Sequence, residues 1–143
     1  MKDPRSALPW LWVFLLVNYL YCDVVSLFDP TVIRNELAGQ AANGTFTITP
    51  EFLLAAGVLM EIPMAMIVLS RALRPGVNRW ANVVAAGFMA IVQLASLGAG
   101  TPAAYYLFFS AVEVGALLAI AAIAFRWRLA APGAAAAGTS TAG

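Results

Sequence analysis

Histidine is absent from the chain and Cys22 is the only cysteine. Without histidine there is no bis-histidine haem, no zinc site of the usual histidine kind and no imidazole acid–base chemistry. A lone cysteine excludes an internal disulfide and any CxxC redox pair, so Cys22 reads as a small buried apolar side chain. What remains implies no cofactor. Charge is scarce as well: Asp, Glu, Lys and Arg make up 10% of the residues, where a globular domain carries about 25%. The net charge of +1 comes without a basic cluster, which argues against nucleic acid as a partner.

What the chain has in excess is hydrocarbon, at 62% hydrophobic residues. Apolar runs recur at Leu8 to Phe28, Phe52 to Ser70, Trp80 to Gly98 and Ala103 to Phe125. Each has roughly the 17 to 25 residues that cross a hydrocarbon core about 30 Å thick. The fold class is therefore an all-α membrane protein, a four-transmembrane-helix antiparallel bundle embedded in the lipid bilayer. Helices are predicted over 8–28, 50–72, 79–99 and 102–127, within a single domain spanning 1–129. Residues 130–143, built of Ala, Gly, Pro, Ser and Thr, have no large apolar side chains with which to pack and read as disordered. The first run is not a cleaved signal, because Leu20-Tyr21-Cys22 puts bulk where cleavage needs small residues.

Basic residues orient the bundle. Lys2, Arg5, Arg71, Arg74, Arg79, Arg126 and Arg128 all fall on one side, and Arg34 alone on the other. The positive-inside rule puts both termini in the cytoplasm, and the Ala- and Gly-rich composition points to a bacterial cytoplasmic membrane. Trp10, Trp12, Trp80 and Trp127 read as a belt on the same side, with Tyr105 and Tyr106 at the other interface. The outer connection 29–49 reads as a small lid. Asp29-Pro30 starts a short helix over about 30–38, Gly39 ends it, and Asn43-Gly44 turns the chain into the alternating Thr45 to Thr49. Thr49-Pro50 and Thr101-Pro102 repeat a cap-then-proline start at the outer ends of the second and fourth helices.

Three carboxylates interrupt the runs, Asp23, Glu61 and Glu113, and no Lys, Arg or His inside the runs can neutralise them. An acid at mid-helix costs roughly 2.5 to 3.5 kcal/mol on the translocon scale, so three of them in one small bundle predict a shared polar interior. Glu61 and Glu113 fall near the midplane, Asp23 and Gln93 nearer the outer surface, and Asn18 is central. Tyr19, Asp23 and Ser26 share one helical face, as do Tyr106, Ser110 and Glu113. Pro63 leaves the Leu59 carbonyl without its intrahelical donor, which makes the second helix the deformable one. The candidate pocket thus comprises Asn18, Tyr19, Asp23, Glu61, Gln93, Tyr106, Ser110 and Glu113, with the acids facing inward.

Such a pocket supports three readings: binding or translocation of a proton, cation or small polar solute; a structural or assembly subunit held in register by polar contacts; or a membrane enzyme acting on a lipid or quinone. Small-residue stripes, Ala111-Gly115-Ala119 on the fourth helix and Ala86-Ala90 on the third, permit close helix approach within one chain or in a homodimer through the fourth helix. Met60, Met64 and Met66 read as adaptable lining.

The segments Asn18-Tyr19-Leu20-Tyr21-Cys22-Asp23, Leu59 to Met66, Asn78-Arg79-Trp80-Ala81-Asn82 and Thr101 to Tyr106 together resemble a family of short four-helix bacterial membrane proteins of unknown function. That resemblance implies the four-helix architecture and marks Asp23, Glu61, Arg79, Asn82 and Glu113. The chain differs from small multidrug transporters, whose embedded glutamate lies on the first helix, and from vitamin K type reductases, which need a CxxC pair.

Overall fold

The computed structural model describes residues 4–41 and 44–127. Lys2, Asn43, Arg128 and the tail over 130–143 lie outside them. The elements run α1 Pro4–Ser26, α2 Pro30–Leu37, β1 Gln40–Ala41, β2 Phe46–Thr47, α3 Pro50–Ala72, α4 Pro75–Leu97 and α5 Ala104–Arg126. Proline opens four of the helices, because its fixed φ suits the first turn and its missing N–H has no partner there to lose. α1, α3, α4 and α5 are each long and apolar enough to cross a membrane. They form a ring in which α1 packs on α3 and α5, and α4 packs on α5 and, along the thinnest seam, on α3.

Two helix starts differ from the predicted ones, in opposite directions. α4 starts at Pro75 rather than 79, because the turn from Gly76 to Arg79 is helical despite its polar side chains: Asn78 is buried and donates from Nδ2 to the Ser70 carbonyl at 2.6 Å. At the other end Thr101-Pro102 does not start α5. Ala103 stays extended at φ −65°, ψ 156° with no side-chain cap, and the helix begins at Ala104. Thr49 does cap α3, its Oγ1 accepting from the Phe52 amide at 3.2 Å.

The end carrying Pro4 and Arg126 is the terminal end; the other is the lid end. At the lid end Asp29 caps α2 by accepting from the Thr31 amide at 2.9 Å. Gly39, at φ 75°, then turns the chain into the hairpin, where Gln40 pairs with Thr47 and Ala41 with Phe46. Phe46 stacks on Phe52 at 6.0 Å between ring centroids, tying the hairpin to the start of α3. The apolar core sits toward the terminal end, built from Leu8, Trp12, Leu15, Met66, Met89, Leu117 and Ile120. Large apolar residues such as Leu20, Leu54, Val84, Ile91 and Leu118 point outward, the surface that hydrocarbon would cover.

Trp12 departs from the belt reading. It is fully buried, and its Nε1 donates to Asn82 Oδ1 at 2.7 Å. Ser70 Oγ donates to the same oxygen at 3.0 Å, while Asn82 Nδ2 donates to the carbonyl and Oδ1 of Asn78 at 2.8 and 2.7 Å. Trp10 and Trp80 remain exposed. A buried tryptophan needs a partner for its N–H, and Asn82 supplies one. The knot ties α1, α3 and α4 together beside the Leu73-Arg74 connection, whose Leu73 carbonyl accepts from Arg5 at 2.9 Å.

Candidate functional site

Above the core, polar side chains descend the α4–α5 seam in one-turn steps. Ser96 Oγ donates to the Gln93 carbonyl at 2.7 Å, so the Tyr106 hydroxyl, 2.8 Å away, is the donor in their contact. One turn deeper Gln93 Nε2 donates to Ser110 Oγ at 2.9 Å. Another turn along α5 lies Glu113, 2% exposed, with Oε1 buried and without a hydrogen-bond partner. Opposite, on α1, Tyr19 is 8% exposed and its hydroxyl likewise lacks a partner, as does the buried Asn18 Oδ1. The Glu113 carboxyl lies within electrostatic range of Tyr19, Cys22, Tyr106 and Asp23.

The seam opens at the lid end into a cavity of about 850 Å³ bounded by α1, α2, the hairpin, Phe52 of α3 and the ends of α4 and α5. Asp23, Asp29 and Glu36 line it, and Ser96, Tyr105 and Tyr106 form part of its wall; among the described residues no Lys or Arg lines it. Asp23 and Glu36 interact electrostatically, and Asp29 Oδ2 sits 3.4 Å from the Tyr105 hydroxyl. Gathering like charges without a counter-charge raises a negative potential that concentrates cations. Among the described residues no three His, Cys, Asp or Glu side chains converge as a metal cage would need. The acids are spaced apart rather than clustered.

The structure brings Tyr19, Gln93, Tyr106, Ser110 and Glu113 together, with Asp23 above them on the cavity wall. It does not bring Glu61 there. An inward-facing Glu61 beside Glu113 is corrected to an exposed Glu61: Phe52 and Ser70, nine residues to either side and on the inner face, are about two and a half turns away, which puts Glu61 on the opposite side of α3. Pro63, by contrast, is buried. Arg79 also lies elsewhere, its guanidinium 5.5 Å from the Trp80 ring centroid and 5.4 Å from that of Phe125, within cation–π range. Asn82 belongs to the Trp12 knot. Sequence reasoning missed Ser96, Asp29 and Glu36 as site residues. Ser96 follows Gln93 by one turn, a spacing that could have found it; Asp29 and Glu36 reach the site only because the lid folds back over the bundle.

The chain is thus a four-helix protein of the membrane-spanning class, with a buried polar seam beneath an acidic cavity. It belongs to a family of unknown function, DUF6326, which matches residues 2–132. No curated protein and no solved structure matches it.

Proposed function

We propose that this protein binds a small cation, down to the size of a proton, which enters through the acidic cavity and is held at Glu113, the arrangement a membrane carrier or sensor of such a solute needs. The observation that carries this reading is the Glu113 carboxyl, almost wholly buried, with Oε1 unpartnered at the foot of a polar seam. A buried acid with no partner is expensive to keep, and a purely structural contact would have one. Asp23, Asp29 and Glu36 act as the electrostatic funnel. Tyr19, Tyr106 and Ser110 supply neutral oxygens, suited to a weakly held monovalent or organic cation that must also leave.

The test is thermal stabilisation of the purified wild type by sodium, potassium, guanidinium and tetramethylammonium at constant ionic strength. A ligand of the native state raises apparent stability by mass action, so at least one cation should raise the melting temperature in a saturable manner. Identical melting in every cation and at every pH would overturn the reading.

The positive-inside distribution of Arg5, Arg71, Arg74, Arg79 and Arg126 supports a cytoplasmic terminal end, and hence a cavity open to the far side of a bacterial cytoplasmic membrane. Gly44→Cys, in the lid, should react with an impermeant thiol reagent from outside intact cells, and Gly76→Cys, near the start of α4, only after permeabilisation. Labelling of both from the same side would reverse or abolish that topology.

A further inference from the structure

Glu61 lies midway between Pro50 and Ala72 along α3, so its carboxyl sits at the centre of the hydrocarbon layer, out of reach of either interface for a side chain this short. It is exposed on the side of α3 facing away from the bundle. Basic residues of the described chain sit at helix ends or in the lid, so none of the described cations can reach it. Whatever satisfies this acid comes from outside the chain. The surrounding face also has features the monomer does not use. Gly57, one turn before Glu61, is exposed, and a side-chain carbon added there would touch nothing, so no contact within the chain requires the glycine, although glycine weakens a helix interior. Ala65 follows one turn after, and Leu54, Val58 and Val68 flank the row, all strongly exposed.

We propose that a second copy of this chain packs against this face, α3 crossing α3 at Glu61 in a two-fold dimer within the membrane. Two copies inserted in the same orientation are related by an axis along the membrane normal, so a residue at the crossing point meets its own counterpart. A carboxyl is suited to that position, because in its protonated form it both donates and accepts, and two Glu61 side chains satisfy each other with no cation needed. Gly57, Glu61 and Ala65, four residues apart, form the ridge along which helices approach closely in right-handed crossings. The Ala111-Gly115 stripe of α5 is also exposed but carries no polar group needing a partner, so it makes the weaker interface.

The test uses the full chain in lipid vesicles in a Cys22→Ala background. Under mild oxidation Gly57→Cys and Ala65→Cys should each give a covalent dimer, while Ala111→Cys and Gly115→Cys should not. By energy transfer between labelled copies across a lipid-dilution series, Glu61→Leu should raise the dimer dissociation constant about 10-fold, and Glu61→Gln, which keeps the hydrogen bonding, less than about 3-fold. Cross-linking confined to the α5 positions would move the interface to α5 and overturn the proposal. So would a monomeric wild type by energy transfer, or a Glu61→Leu variant that associates as tightly as wild type. The cysteine variants retain Glu61, so they report even if Glu61→Leu fails to insert. Because Glu61 lies outside the cavity and the seam, cation binding at Glu113 and dimerisation at α3 stand or fall separately.

Discussion

Asn82→Ala lowers the free energy of unfolding in mixed micelles by about 3 kcal/mol or more, the largest loss expected from any polar substitution in the bundle. Asn82 is fully buried and takes part in four hydrogen bonds, accepting from Trp12 and Ser70 and donating twice to Asn78. Interhelical hydrogen bonds in membranes average about 0.6 kcal/mol each and reach about 1.7, so one such bond would barely register. The alanine, however, strands the Trp12 N–H, the Ser70 hydroxyl and the Asn78 amide oxygen in a dry interior, where each unsatisfied group costs roughly 1 to 3 kcal/mol. Trp12→Phe removes a single donor and should cost less. The two changes should be non-additive, since both delete the same α1–α4 contact. Unfolding titrations of the singles and the double decide it. A loss below about 0.5 kcal/mol for Asn82→Ala would mean that water or side-chain repacking satisfies the stranded groups.

Glu113→Gln should separate stability from binding. Glutamine keeps the shape of a side chain whose Oε1 has no hydrogen bond to lose, so the unfolding free energy should change by less than about 1 kcal/mol. The charge is lost, and a hydrogen bond or contact to a charged group is worth roughly 1.5 to 3 kcal/mol. The cation that stabilises wild type should therefore bind about 10 to 100 times more weakly. Asp23→Asn acts at the cavity wall, where the residue is exposed and water screens the charge, so the expected loss is several-fold at most. Isothermal titration or the thermal shift against cation concentration measures both. A larger weakening by Asp23→Asn than by Glu113→Gln would mean the cation stops in the cavity short of Glu113. An unaltered affinity in Glu113→Gln would remove the acid from the site.

Depth along each helix was legible from residue counting alone. Rise per residue is constant, so counting from the ends puts Glu61 and Glu113 at mid-membrane and Asp23 toward the lid. Caps with side-chain partners were legible too: Thr49 before Pro50 and Asp29 before Pro30 place oxygens where the first free amides need them. Thr101 before Pro102 looked the same and behaved differently, because Ala103 stays extended.

Direction around the helix was another matter. In water, the side of a helix that faces inward is marked by where polar residues are missing, but in lipid both sides are apolar. On α3, Leu54, Val58 and Val68 face outward while Leu59, Met66 and Pro63 face inward, and nothing in their chemistry distinguishes the two sets. The inward placement of Glu61 rested on the cost of exposing an acid, and the packing of α3 on α1 and α4 with Pro63, Met66 and Ser70 turned inward overrode it. The same blindness hid Trp12, whose amphipathic ring suits an interface belt as well as a core with one acceptor. Only the closure of the four-helix ring brought Asn82 of α4 across to it, although Asn78 and Asn82, one turn apart on a single face, were the available signal.

By itself, then, the sequence determined the number of long apolar helices, the position of every acid along its helix and the end at which the basic residues gather, because these depend on hydrophobic run length and helical rise. The tertiary structure decided which acid is enclosed and which faces out, which amide ties three helices together, and that Asp29 and Glu36 on the lid join Asp23 over the seam. Those outcomes depend on how four nearly uniform apolar helices rotate against one another, a choice made by the fit of Trp12, Met66, Met89 and Leu117 in one small core and by a few buried hydrogen bonds.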